Sequence, residues 1–101
     1  MADIKSEFCG IYFEWDENKA KINQTKRGVS FETARQVFLD TERIEYYDFL
    51  HSEDEDRFVT VGYASGILSV VYTERQNDVL RLISARRATE KERRAYQHGR
   101  F

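Results

Sequence analysis

Ile11, Phe13 and Trp15 alternate with Tyr12 and Glu14, the two-residue period of a strand with one buried face. After Trp15 the pattern changes. Asp16 is a favourable N-cap, the segment ENKAKINQTKR is made of straight-chain helix formers, and Gly28 suits the left-handed turn that ends a helix. A first helix is therefore predicted over 17–27. Ser30 caps a second, in which Phe31, Ala34, Val37 and Phe38 recur at i, i+3, i+6 and i+7 and which closes near Leu39. Beyond Asp40, runs rich in Val, Ile, Leu and Tyr at 43–47, 57–63, 67–73 and 79–85 read as strands. Ser65-Gly66 and Gln76-Asn77-Asp78 supply tight loops between the last three, which predicts an antiparallel meander. Thr89 and Glu92 match the T-x-x-E capping box and start a third helix that ends near Gly99. Residues 1–10 carry little pattern and are expected to form a loose arm.

The element order β-α-α-β-β-β-β-α predicts an α+β fold, a mostly antiparallel sheet with helices packed on one face. At 101 residues the chain is the size of one domain, and it contains no internal repeat and no proline-rich linker. The third helix stands apart. Its apolar stripe of Ala88, Ala95, Tyr96 and Gly99 is thin, with Glu90, Arg93, Arg94 and Gln97 on the outer side, so it is expected to be loosely held.

Composition narrows the chemistry. No apolar run reaches the roughly 18–20 residues that span a bilayer, and MADIKSEFCG lacks the basic and apolar regions of a signal peptide. The expectation is a cytoplasmic protein without a membrane partner. Cys9 is the only cysteine, and His51 and His98 are the only histidines, so neither a disulfide, nor a structural metal, nor a cofactor is expected. The net charge of −2 conceals a separation along the chain. Residues 40–56 hold eight acidic side chains against Arg43, a net −7, whereas 81–100 hold seven basic side chains against Glu90 and Glu92, a net +5. The basic end can meet a polyanion although the whole chain is acidic.

On a regular last strand, Arg81, Ile83, Ala85 and Arg87 share one face and Leu80, Leu82, Ser84 and Arg86 the other. An arginine in mid-strand is costly to bury unpaired. Arg81 and Arg87 either pair with carboxylates, for which the acidic 40–56 segment is the expected source, or look into an anion-binding groove. Guanidinium suits phosphate because its planar fork donates two parallel hydrogen bonds and keeps its charge. For Arg93 and Arg94 a solvated helix face is the default. His51 and His98 are the groups whose ordinary pKa suits proton transfer near neutrality, although an exposed loop histidine usually has no role. Glu14, Trp15 and Asp16 read as a core anchor and helix cap, and Lys26 and Arg27 suit the negative end of the first helix dipole. Tyr96 is a packing residue or, among arginines, a platform for an unpaired base. The residues alone reach a small domain with a basic, aromatic-containing C-terminal surface suited to RNA.

Three blocks stand in order along the chain: FEWDENKAKINQTKRGVSF; the pattern D-x-x-H-S-x-x-E-x-R in DFLHSEDEDR, followed by FVTVG; and LRLISARRATEKERRAY. Over 12–96 this arrangement resembles the BrnT toxin family of bacterial type II toxin-antitoxin modules. The resemblance implies a RelE-like fold and a metal-independent endoribonuclease that inhibits translation. It also implies a BrnA-type ribbon-helix-helix antitoxin as partner in a hetero-oligomer. That complex represses its own operon, so operator DNA is reached only through the antitoxin. With RNA as substrate, it implies Arg57 and Arg86 as phosphate stabilisers, His51 and Lys26 as proton-transfer groups, and Arg81, Arg87 and Tyr96 as RNA contacts. Where the family commonly has Lys-His before G-V-S-F, this chain has Lys26-Arg27. A regular strand cannot point Arg81 and Arg86 the same way, so both serve one site only if a bulge or strand end intervenes. The alternative reading is a non-catalytic module that binds an antitoxin or nucleic acid. In either reading the antitoxin is expected to dock beside the third helix or cover the sheet face that helix leaves open.

Overall fold

In the computed structural model, which describes residues 2–101, the chain opens with an antiparallel hairpin of β1 (Asp3–Phe8) and β2 (Ile11–Asp16). The expected loose arm is thus a strand; Met1 lies outside the described residues. Ile4, Ser6 and Phe8 turn inward while Asp3, Lys5 and Glu7 stay exposed, a period-two pattern with too few apolar members to stand out. Ile4 and Phe8 pack against the core, and Arg35 lies 4.4 Å over the Phe8 ring and donates to Ser6 Oγ. The turn uses Cys9 and Gly10 with φ of 51° and 83°, a conformation glycine takes without steric cost.

The first helix, α1 (Glu17–Arg27), is bounded as predicted. Asp16 Oδ2 accepts from the Lys19 N–H at 2.8 Å, and Gly28 closes the helix at φ 70°. The second predicted helix is shorter. Phe31–Ala34 forms α2, and Arg35–Leu39 tightens into a 3-10 turn. The recurrence of Phe31, Ala34 and Val37 every third residue fits the three-residue period of a 3-10 ridge, and all three are fully buried.

Four strands follow: β3 (Ile44–Tyr47), β4 (Phe58–Tyr63), β5 (Ile67–Glu74) and β6 (Val79–Arg87), and α3 (Glu90–His98) ends the fold. The sheet order is β1-β2-β6-β5-β4-β3, antiparallel except where β2 meets β6 in parallel. This is the predicted α+β architecture with the predicted meander, extended by β1.

Helices cover both faces of the sheet, not one. On the first face Phe13, Leu68, Val70, Tyr72 and Leu82 pack against Phe31, Val37 and Phe38, with Phe38 set edge-on to Phe13 and Tyr72 at 5.3 and 5.0 Å. On the second face Ile44, Val59, Val61 and Ala88 meet Ala95 and Tyr96 of α3. β4 is buried on both sides, which is why FVTVG reads as a continuous rather than an alternating strand.

β2 pairs with β6 only over Tyr12–Glu14, leaving the rest of that edge open. Asn23 of α1 closes it. Its amide accepts from the Ala85 N–H at 3.1 Å and donates to the Ala85 and Val29 carbonyls at 2.9 and 2.8 Å, so a buried side chain replaces a missing strand.

Candidate active site

The D-x-x-H-S-x-x-E-x-R motif folds into the loop between β3 and β4, where Asp48, His51, Ser52 and the Arg57 backbone are tied to one another. Asp48 N–H donates to the Arg57 carbonyl at 2.9 Å and closes the loop base. Ser52 Oγ donates to the Asp48 carbonyl at 2.6 Å and accepts from the Arg57 N–H at 2.9 Å. His51 Nδ1 lies 3.0 Å from Asp48 Oδ2, and the ring is 66% exposed while the carboxylate is 15% exposed. With the proton on Nδ1, Asp48 orients the ring and leaves Nε2 facing solvent as a base.

Arg57 joins His51 in lining a pocket of about 470 Å³. Its Nε is buried without a hydrogen-bond partner among the described residues and lies 3.7 Å from Glu55 Oε2. Glu55 is engaged instead by Arg75 Nη1 at 3.0 Å. Glu53 and Asp54 line the same pocket, so negative charge from the loop opposes an incoming phosphate there.

The arginines of β6 are placed by an irregularity the sequence does not announce. Val71 pairs with Ser84 and Tyr72 with Leu82, so Ile83 is an extra residue in a β-bulge. Before the bulge Arg81 opposes Thr73, and after it Arg86 opposes Ser69; both therefore lie on the second sheet face, with Val71 between Thr73 and Ser69 packing toward α3. The separation of Arg81 from Arg86 expected of a regular strand is removed by this one residue.

Both arginines are engaged. Arg81 Nη1 donates to Glu14 Oε2 at 2.6 Å and to Asp3 Oδ2 at 3.1 Å. Its partners come from β1 and β2, not from the acidic 40–56 segment. Its hydrogen bond holds the Asp3 carboxyl below the usual range. Arg86 donates to both oxygens of Glu92, at 2.8 and 3.2 Å. Glu92 also accepts from the Thr89 N–H, Tyr46 OH and Ser69 Oγ at 2.9, 3.1 and 3.2 Å. Burial alone would push its carboxyl up, but Arg86 and the Thr89 N–H outweigh burial and hold it below its ordinary value. Glu92 also raises Arg86.

Helix α3 is consequently fixed, contrary to expectation, by a buried carboxylate more than by its apolar stripe. Glu92 was legible in sequence only as the capping-box residue, a role it also fills.

The remaining candidates lie elsewhere. Arg87 is exposed on the first-face side, where Nη1 reaches the Ser65 carbonyl at 3.3 Å, so it too finds no partner in 40–56. Tyr96 OH donates to Asp40 Oδ2 at 2.6 Å, which pushes the phenol up to about 12. Lys26, in the last turn of α1, borders a hollow of about 200 Å³ shared with Ile83 and Ser84, beside the bulge. The structure thus brings His51 and Arg57 together, sets Arg81 and Arg86 on one face, and leaves Lys26 at the edge of β6. Asp48 was read from sequence only as a letter of the motif, and Asn23 not at all. The i−3 spacing of Asp48 from His51 is the signal that could have found the first; the second has none, because its partner is 62 residues away.

A family model described as the ribonuclease toxin, BrnT, of type II toxin-antitoxin systems matches residues 15–92. The 1.1 Å crystal structure of the Brucella abortus ribonuclease toxin, BrnT, is similar in fold, with a TM-score of 0.56 and 24% identity over 75% of this chain and 94% of that one. No curated protein sequence matches the chain.

Proposed function

The chain belongs to the BrnT family of ribonuclease toxins of type II toxin-antitoxin systems, and from that premise we propose that it cleaves RNA without a metal ion, using the loop 48–57 and the arginines of the second sheet face. The observation that carries this reading is His51, held at Nδ1 by Asp48, beside Arg57 with its unpartnered Nε.

In this reading His51 Nε2 takes the proton of a ribose 2′-hydroxyl. The 2′-oxygen attacks the adjacent phosphorus, the bond to the 5′-oxygen breaks, and the products are a 2′,3′-cyclic phosphate and a 5′-hydroxyl. Arg57 stabilises the charge that builds on the phosphorane oxygens and offsets the carboxylates of Glu53 and Asp54 beside it, a task for which a guanidinium is effective. The departing 5′-oxygen takes its proton from solvent, because Lys26 borders a different hollow, beside Ser84, from the one that His51 and Arg57 line. Arg81 and Arg86 face the same side and track the RNA backbone, Arg86 through the part of its guanidinium side that Glu92 leaves exposed. Arg87 and Tyr96 contribute at the margins of that surface. Arg27, in place of the family's usual histidine, takes no part in proton transfer, which leaves that work to His51.

Cleavage of messages in the cytoplasm inhibits translation, and a BrnA-type ribbon-helix-helix antitoxin in a hetero-oligomeric complex stops it and represses the operon. The test is cleavage of purified RNA in EDTA by antitoxin-free protein, comparing wild type with His51→Ala, Arg57→Ala and Arg86→Ala. Cleavage by wild type that His51→Ala and Arg57→Ala abolish is the expected result. The engagement of Arg81 and Arg86 by carboxylates favours the alternative, a non-catalytic binding module, and RNA left intact by wild type but still bound would establish it.

A further inference from the structure

The charge separation along the sequence converges on a groove. β3 is the last strand of the sheet, and α3 packs on the face beside it. Between them, closed by the C-terminal Phe101, lies a groove of about 840 Å³. Its floor is apolar and aromatic: Tyr46, Tyr47, Phe49, Ala95 and Phe101. Tyr46 meets Phe101 edge-on at 4.5 Å, and Tyr47 meets Phe49 in the same way at 4.8 Å. Phe49 and the adjoining Leu50 are 84% and 83% exposed, an unusual solvent exposure for two consecutive large apolar residues.

The rim is basic: Lys91, Arg94, His98 and Arg100. Among the described residues Lys91 and Arg100 pair with no carboxylate, and Arg94 has only a 3.9 Å approach to Glu90 between two well-exposed side chains. Apolar floor and cationic rim require a partner that is apolar on one side and acidic on the other.

We infer that this groove receives an acidic amphipathic segment of the cognate antitoxin, its apolar side chains on Tyr46, Phe49 and Phe101 and its carboxylates on Lys91, Arg94 and Arg100. This rests on the reading of the chain as a toxin with an antitoxin partner. An aromatic floor among cations also suits unpaired bases. A peptide is favoured by Phe49 and Leu50, which continue the apolar surface: Leu50 gives a base no aromatic face to stack on, whereas the apolar side chains of an amphipathic segment cover both.

The test uses the full chain, alone and bound to its purified antitoxin. Hydrogen exchange of the complex should show protection over 46–50 and 91–101. Lys91→Glu with Arg94→Glu, and separately Phe101→Ala, should each weaken antitoxin binding at least about 10-fold, the charge reversal losing its effect as salt rises. RNA cleavage by the free variants should match wild type. Unchanged exchange in the groove with protection elsewhere, or antitoxin binding at wild-type strength by these variants, overturns the inference. Loss of RNA binding with antitoxin binding intact reassigns the groove to nucleic acid. If free wild type cleaves no RNA while the groove is protected and sensitive to charge reversal, the enzyme reading fails and the docking site stands.

Discussion

Glu92 of α3 accepts hydrogen bonds from Arg86 of β6 at 2.8 and 3.2 Å, and this one carboxylate also ends the hydroxyl chains from Tyr46 and Ser69. A segment that looks loosely attached by its apolar residues is thereby joined to three strands. The folded-state pKa of Glu92 is depressed, so the group contributes stability above its ordinary value of 4.5 and loses it as pH falls through the folded value. Stability should therefore decline on acidification below about 4.5. Glu92→Gln should flatten that acid limb and cost about 2 kcal/mol at neutral pH, less than a fully buried pair because Arg86 is partly solvated. Denaturant midpoints measured against pH check both.

His51→Ala should lower RNA cleavage by roughly 10²–10⁴-fold if the ring is the base. Asp48→Asn should lower kcat with a smaller change in KM, since it leaves the ring in place but disturbs its tautomer. Steady-state cleavage of a fluorogenic oligoribonucleotide separates the two parameters. Equal activity in all three proteins would remove His51 from the mechanism.

Arg57→Ala should reduce kcat by about 10²–10³-fold, the usual loss when one donor to a developing oxyanion is removed. Arg57→Lys should recover little, because an ammonium cannot reproduce the planar fork that donates two parallel hydrogen bonds to a phosphate. Thermal melts of both variants exclude unfolding as the cause.

Asn23→Ala should destabilise the fold by about 2–3 kcal/mol, because the Ala85 N–H and C=O lose their partner at a buried edge. Exchange at the Ala85 amide should accelerate selectively. An unchanged exchange rate at that amide would mean that another group closes the edge.

Gly62→Ala should cost about 1–3 kcal/mol. A Cβ there would lie 2.8 Å from Val37 Cγ1 and 3.0 Å from Arg43 Cβ, where β4 and the 3-10 turn approach most closely. The midpoint of urea unfolding measures the loss.

Local patterns carried most of the element boundaries. Asp16, Gly28, Ser30, Thr89 and Gly99 punctuate the helices because caps act within three or four residues, a range the sequence displays directly. β1 was missed for the converse reason: DIKSEF becomes a strand through pairing with β2, through Arg35 over Phe8, and through the core against which Ile4 and Phe8 pack, partners that no local pattern reveals. The motif D-x-x-H-S-x-x-E-x-R stood out only through the family resemblance, although the bonds from Ser52 to Asp48 and Arg57 close within a ten-residue loop.

By itself the sequence determined the α+β class, the meander, the capped helices and the grouping of charge into an acidic and a basic segment, all set by periodicity and short-range chemistry. Only the tertiary structure decided which arginine meets which carboxylate. The bulge at Ile83 turns Arg81 and Arg86 to one face, β1 and β2 bring Asp3 and Glu14 to the first, and α3 brings Glu92 to the second. The physical reason is that a period-two pattern states a side chain's face only while the strand stays regular, and an ion pair depends on three-dimensional distances that sequence separation does not encode.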